Sequence, residues 1–196
     1  MAAAQSRNYR SSKMATKKKT ASWSDLKAHL VGMEKYQLLA LVKDLYGASK
    51  ETQQFLHARY AVGGSDVLEP YKATITQWIN PGDVRKPLSV SKAKKAITDY
   101  KKAVGDPQGM AEPGVFYCEQ VFASLDLCTS EDESFYDSLC VMFAQALGHI
   151  QKLPQADRSP YIERMWQVRL KGNEIGWGVW DDFEQAWEVA GLPEMG

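Results

Sequence analysis

Acid–base or nucleophilic chemistry in this chain would depend first on its three histidines, His29, His57 and His149. A nucleophilic site needs a serine or cysteine beside a histidine, with an acid that orients the ring. No local nucleophile motif accompanies the histidines, so we predict no catalytic residue. An enzyme would become the better interpretation if folding joined Glu119, Asp137 and His149 in one pocket.

Cysteines and carboxylates are the remaining candidates for metal ligands. Cys118, Cys128 and Cys140 are ten and twelve residues apart, unlike the close ligand pairs of zinc sites. The adjacent Asp181 and Asp182 diverge on a helix, and the Glu-x-x-His motif of helical di-metal centres does not occur. The stretch "VGGSDV" lacks the Gly-Lys-Ser/Thr ending of a phosphate loop. We therefore expect structural thiols, no metal site and no cofactor.

A group of basic residues is the best candidate binding site for an anion. Its members are Arg85, Lys86, Lys92, Lys94, Lys95, Lys101 and Lys102. Together with Tyr100 and the basic tail at 17–19, they could neutralise the phosphates of a nucleic acid. Lysines spread around an exposed helix are also commonly solvated and bind nothing. A nucleic-acid-associated protein that uses the basic helix 91–104 and the basic tail is therefore the alternative function.

The charge of the chain is zero in total but unevenly distributed. Up to Gly105 there are 19 Lys and Arg against 8 Asp and Glu, and from Asp106 onward there are 5 against 16. The basic half could pack on the acidic half, or each could dock on an oppositely charged protein. Our leading hypothesis is a non-enzymatic protein-interaction or adaptor module, whose partner is an unknown protein or a second copy of the chain.

Helices must position these groups, because apolar residues recur at spacings of three, four and seven along most of the chain. The clearest stripes comprise Leu38, Leu41, Val42 and Leu45; Ala93, Ala96, Ile97, Tyr100 and Val104; and Phe135, Leu139, Met142, Phe143, Ala146 and Ile150. The pattern predicts an all-α fold, a compact irregular bundle of about eight short amphipathic helices.

Helix boundaries are predicted from capping residues. Ser24 and Ser49 are expected N-caps, and Thr129 or Ser130 is expected to cap the helix that follows. Gly47, the pair at 63–64 and Gly172 are expected to end helices. The pair Pro113-Gly114 predicts a kink or a restart within an otherwise helical segment.

The stretch "EIGWGVWDDFEQAW" raises the choice between an active-site loop and a joint between helices. Gly176 and Gly178 allow close backbone approach and positive φ, while Trp177, Trp180 and Trp187 supply large apolar area. Tryptophan at helical spacing is first a packing residue. We therefore predict a structural joint at Gly176, Trp177, Gly178 and Trp180.

Length and composition favour one intracellular domain. The chain has 196 residues, of which 44% are hydrophobic and 24% charged, and its apolar runs fall short of the roughly 18 residues of a membrane span. The N-terminal segment lacks the apolar core of a secretory signal. Met14 resembles a natural start, so residues 1–13 are read as an upstream start or a non-native addition. We expect a disordered basic tail at 1–21 and then one helical domain over 22–192, in the cytoplasm and without a membrane partner.

Four stretches together are similar to a bacterial family of small helical proteins known only as a domain of unknown function. They read "SDLKAHLVGMEKYQLLALVKDLYGASKETQQFLHARY", "VSKAKKAITDYKKAVGDPQGMAE", "ESFYDSLCVMFAQAL" and "IGWGVWDDF". The resemblance spans roughly Ser22 to Val189 and implies a single bacterial, cytoplasmic domain, with no activity or cofactor to carry over. Residues 1–13 lie outside it, and Pro113-Gly114 departs from the continuous helix expected there.

Overall fold

The structure, a computed structural model, describes residues 21–62, 67–104, 108–126 and 132–195. Within these ranges the fold is all-α and contains no strand, which confirms the predicted fold class. Of the predicted tail at 1–21, only Ala21 lies within the described residues. In the described part of the chain, no helix combines the length and apolar character needed to cross a membrane.

Nine α-helices are found in the described ranges, against about eight expected. They are α1 (Trp23–Val31), α2 (Lys35–Ala48), α3 (Lys50–Tyr60), α4 (Glu69–Ile79), α5 (Val90–Val104), α6 (Ala111–Leu125), α7 (Glu133–Ile150), α8 (Ser159–Gly172) and α9 (Val179–Val189). Single 3₁₀ turns at Gln108–Met110 and Gln155–Asp157 precede α6 and α8.

The chain divides into two units, one ending at Asp44 and the other beginning at Leu45. The first unit holds α1 and most of α2, and neither helix has a buried residue. A division by contacts does not decide whether the two units fold as one domain. The single domain expected over 22–192 therefore stays a prediction.

The second unit is built on α6 and α7, which pack side by side. Helices α4 and α8 pack on α6, α9 packs on α7, and α5 packs on α3 and α4. All six apolar residues predicted for the inner face of α7 are buried, as are four of the five predicted for α5. Phe143 of α7 stacks on Phe183 of α9 with ring centroids 3.9 Å apart, which joins these helices at the centre of the core.

Two glycines in helices mark points of close approach. Pro113 and Gly114 lie in the first turn of α6, where the missing N–H of proline breaks no hydrogen bond. The helix begins at Ala111, so of the expected kink or restart the structure has a helix start next to this pair. A Cβ on Gly114 would lie 3.1 Å from the Cβ of Ala146, so glycine here brings α6 close to α7. Gly172 was expected to follow its helix, but it is the buried last residue of α8.

Of the N-caps predicted for α1 and α3, the one of α3 is correct. Ser49 caps α3 by accepting a hydrogen bond from the Thr52 amide at 3.1 Å. The cap of α1 is Ser22 instead of Ser24, because Asp25 completes a capping box by accepting from the Ser22 backbone N–H at 2.9 Å. Asp132 caps α7, and the predicted caps Thr129 and Ser130 lie outside the described residues.

Glycine stops are also displaced from their predicted positions. Gly47 lies within the last turn of α2, which continues to Ala48. Helix α3 ends before the pair at 63–64, which is outside the described residues, and Ala61 takes the left-handed conformation with φ of 49°. Capping by glycine is a preference and not a requirement, so neighbouring residues can take the role.

Candidate functional site

The histidines and cysteines of the described residues are separated from one another in the fold. His29 is exposed in the last turn of α1, and His57 accepts or donates a 3.0 Å hydrogen bond with the Tyr46 hydroxyl. Burial raises the pKa of the Cys118 thiol, and burial with the neighbouring Asp182 carboxylate raises the pKa of Cys140 to about 12. Both thiols are therefore protonated at neutral pH and poor nucleophiles.

His149 lines a small cavity of about 120 Å³ between α5, α6 and α7. Lys101 and Thr98 of α5 lie on its other side, and the His149 Nδ1 atom is buried without a hydrogen-bond partner among the described atoms. Burial and the charges of Lys152 and Lys101 lower the pKa of His149. The cavity lining contains neither Glu119 nor Asp137, so it does not form the acid–base set that would indicate an enzyme.

Glu119 belongs instead to a half-buried ion-pair network that joins α4, α6 and α8. Arg164 donates to both carboxylate oxygens of Glu119 at 2.7 Å and to Glu112 at 2.5 Å, and Lys72 lies 2.7 Å from Glu112. Burial opposes ionisation of Glu112, but the two cations outweigh it and lower its pKa. Each carboxylate is already matched by a cation, so the network joins the three helices and has no group poised for proton transfer.

The seven residues of the predicted anion site lie in the loop before α5 and on α5 itself. Arg85 and Lys86 are in the loop between α4 and α5, where Arg85 donates to both oxygens of Asp83 at 2.9 Å. On α5, Lys94 is half-buried and Lys101 lines the His149 cavity. The other three lysines of α5 line a different cavity, so the structure does not bring the seven residues together.

That second cavity is a groove of about 720 Å³ lined by α3, α4 and α5. Its cations are Lys50, Lys92, Lys95 and Lys102, its acids are Glu51 and Asp99, and its aromatic residues include Phe55, Tyr71 and Trp78. We call it the α3–α5 groove. The groove combines four cations with aromatic rings on three separate helices.

Sequence reasoning identified three residues of the α3–α5 groove and missed the others. Lys92, Lys95 and Lys102 belong to one basic helix, so composition alone indicated them. Lys50 and Phe55 occur in a polar helix, and Trp78 lies between apolar residues of α4. Nothing in the local pattern of these residues indicates that α3, α4 and α5 meet around one groove.

The residues predicted as a structural joint lie between α8 and α9 and in the first turn of α9. Gly178 has φ of 72°, as expected, but the second positive φ of this segment is at Trp177, with φ of 60°. A Cβ on Gly176 or Gly178 would meet no atom within 4 Å, so the close approach expected at these glycines is not found. Trp177 is 56% exposed and stacks on the Tyr136 ring at 6.0 Å. Trp187 is buried, and Trp180 is half-buried on α9.

The tryptophans beside this segment surround Arg169 of α8, a residue that sequence reasoning did not single out. Its guanidinium lies 4.5 to 5.4 Å from the ring centroids of Trp166, Trp180 and Trp187. It donates to both carboxylate oxygens of Glu194 at 3.0 Å and to Glu184 at 2.7 Å. The arginine is 4% exposed, so the aromatic and acidic groups together replace its hydration.

Large apolar side chains are exposed on both α1 and α2. Trp23 is 66% exposed, Tyr36 71%, Leu39 60% and Val42 45%. The stripe predicted for α2 is not buried either: Leu38 is 37% exposed and Leu45 50%, and neither helix buries a residue. Exposed apolar residues spread over two consecutive helices indicate an interaction surface more often than single exposed leucines do.

Comparison of the chain with protein-family models, with curated proteins and with solved structures finds no match. The resemblance to an uncharacterised bacterial family therefore stays a prediction. Function has to be argued from the surfaces described above.

Proposed function

We propose that the protein is a non-enzymatic protein-interaction module whose contact surface is formed by the apolar residues of α1 and α2. The supporting observation is the exposure of Trp23, Tyr36, Leu39 and Val42 on two helices that contain no buried residue. Short isolated helices are marginal in water, and their stability normally comes from packing an apolar face. A protein partner, or a second copy of the chain, would provide that packing.

The apolar area offered by these side chains suits such a partner. Each Å² of apolar surface removed from water contributes about 25 cal/mol, so burying a few large side chains supplies several kcal/mol before the cost of association. Protein interfaces are enriched in aromatic residues at their centres, and this surface contains Trp23 and Tyr36.

The adaptor role and the cytoplasmic, bacterial setting are part of the same proposal. Support for a non-enzymatic role comes from groups that are not available for catalysis. Glu112 and Glu119 form ion pairs with Arg164, and the raised pKa of Cys140 keeps its thiol protonated. The resemblance to small bacterial proteins of unknown function is compatible with an adaptor and adds no activity.

Site-specific photo-crosslinking in cells that make the protein tests the proposal. A benzophenone amino acid replaces Tyr36, which is 71% exposed on α2, or Tyr60, which is 72% exposed on α3 and serves as the matched control. We expect a discrete protein adduct from position 36 that is weaker or missing from position 60. The double substitution Leu39→Glu and Val42→Glu should abolish the adduct, because two charges at the centre of an apolar contact are costly to desolvate.

Adduct mass distinguishes a different protein from a second copy of the chain. Equal adducts from both positions, or none from position 36, would contradict the proposal.

A further inference from the structure

We propose that the α3–α5 groove is a binding site for single-stranded nucleic acid. This inference goes beyond the proposed protein-interaction surface, because it concerns other helices and another class of ligand. It also differs from a general attraction of the basic helix for phosphates, since it assigns binding to one side of α5 and adds residues of α3 and α4 to the site.

Charge is the first observation that favours an anionic ligand. Lys50, Lys92, Lys95 and Lys102 line the groove together, against the two acids Glu51 and Asp99. Asp99 is shared, since it contacts Lys95 directly and lies 3.8 Å from Lys102. The groove therefore retains a net positive charge, and its lysines are exposed enough to reach phosphates.

Aromatic rings beside the lysines favour a ligand that carries bases as well as phosphates. Lys92 Nζ lies 3.6 Å from the centroid of the Trp78 ring, and Arg59 lies 5.3 Å from that of Phe55. Each ring thus has a cation over its face, although Arg59 lies outside the groove lining and also donates a hydrogen bond to the Lys102 carbonyl. When a base stacks on Trp78, Lys92 can turn to the adjoining phosphate.

The combination favours a single strand over the two other polyanions that a basic groove could attract. In a duplex the bases are stacked on one another, so the rings would gain no stacking partner. An acidic peptide would use the lysines but would leave Trp78 and Phe55 without a matching group. A volume of about 720 Å³ accommodates a short stretch of unpaired nucleotides.

Fluorescence anisotropy with the full chain tests the charge contribution. The probe is a labelled oligothymidylate of about 12 nucleotides, within the site sizes known for single-strand binders. The groove variant carries Lys92→Gln and Lys102→Gln, and the matched control carries Lys94→Gln and Lys101→Gln. Both variants lose two charges from the same helix, and only the first loses them from the groove.

We expect the groove variant to bind at least about 10-fold more weakly at about 50 mM salt, and its log–log salt slope to be smaller by about 1.4. The control should change affinity by less than about 2-fold. Equal losses in the two variants would show that only overall charge matters, and no loss in either would also overturn the groove.

Aromatic substitutions test the stacking contribution. Phe55→Ala should weaken binding about 5-fold or more, whereas Tyr60→Ala, on the same helix and outside the groove lining, should have no effect. Trp78→Ala should act in the same direction, and unfolding of any variant is detected by circular dichroism. Wild-type affinity in a folded Phe55→Ala variant would contradict stacking and with it the proposal.

Competing ligands and a gain of affinity complete the test. Asp99→Asn should strengthen binding, because it removes the carboxylate that faces Lys95 and Lys102.

A duplex, a polyglutamate peptide or a mononucleotide that binds as tightly as the oligonucleotide would overturn the assignment to a single strand. The Leu39→Glu and Val42→Glu variant should bind the oligonucleotide normally, so failure of one proposal can be told from failure of the other.

Discussion

Arg169 contacts both carboxylates and aromatic rings of the acidic second half of the chain. A buried guanidinium stays charged, so its lost hydration must be replaced by partners of the right geometry. Glu194 and Glu184 supply the negative charge, and Trp166, Trp180 and Trp187 supply ring faces. The tryptophans of this region therefore pack around a cation, in addition to the apolar packing expected from their helical spacing.

Replacing Arg169 by methionine should lower the free energy of unfolding by about 2–3 kcal/mol, as measured by urea denaturation. The value lies at the low end for a broken buried ion pair, because Glu194 is 71% exposed and can return to water. Lys171→Met on the same helix is the control, since Lys171 is half exposed and its contact with Asp126 is long, at 3.8 Å. It should change stability by less than about 0.5 kcal/mol, and an equal loss would contradict the role given to Arg169.

His149 should make the stability of the protein depend on pH in one direction. Burial and the nearby Lys152 and Lys101 lower its pKa in the folded state. The unfolded chain therefore binds the proton more readily, so this contribution to stability is present above the ordinary histidine pKa of about 6.5 and is lost as the pH falls through the folded-state pKa.

Urea midpoints near pH 7.5 and pH 5 should therefore differ more for the wild type than for His149→Gln, on the ordinary histidine titration range of about 5 to 8. The exposed His29 provides the control, and His29→Gln should keep the wild-type dependence. An unchanged pH dependence in His149→Gln would show that other groups cause it.

At the scale of elements, two helical glycines with the same local appearance have opposite environments. A Cβ on Gly172 of α8 would lie 2.7 Å from Phe183 Cδ2, whereas a Cβ on Gly148 of α7 meets no atom within 4 Å. Phe183 is fully buried and stacked on Phe143, so it has no room to yield. The first glycine is required by packing between α8 and α9, and the second is not.

Alanine at these two positions should therefore have effects of opposite sign. Gly172→Ala should destabilise the protein by about 1–2 kcal/mol, because overpacking exceeds the gain in helix propensity. Gly148→Ala should stabilise it by about 0.5–1 kcal/mol, because only the propensity changes. Calorimetric unfolding of both variants measures the difference, and destabilisation by both would indicate that the packing around α7 is tighter than described.

At the scale of the whole molecule, the burial of apolar residues and the pairing of charges follow different parts of the sequence. All the large apolar residues that are buried lie in α4 or later in the chain, whereas α1 and α2 bury none. The ion pair between Lys72 and Glu112 joins the basic and acidic halves of the sequence, while Arg164 and Arg169 pair within the acidic half. Among the described residues, charge pairing therefore serves mainly local packing, and much of the basic charge of α5 faces solvent.

Two leucines test this distribution of burial. Leu139→Ala, in the core position of α7, should cost about 2–5 kcal/mol of unfolding free energy. Leu39→Ala, 60% exposed on α2, should cost less than about 0.5 kcal/mol. Chemical denaturation of the two variants gives the comparison. A large loss in Leu39→Ala would mean that the fold itself depends on the surface that we assign to a partner.

The sequence by itself determined the helical class, the inner faces of α5 and α7 and the Ser49 cap, because these depend on residues a few positions apart. It also located a basic helix, since charge is a property of composition. Only the tertiary structure decided that Lys50, Phe55 and Trp78 share a groove with that helix, that Arg169 is enclosed by tryptophans, and that Gly172 lies against Phe183. These contacts join residues on different helices, and a local pattern specifies which face of a helix is apolar but not which helix covers it.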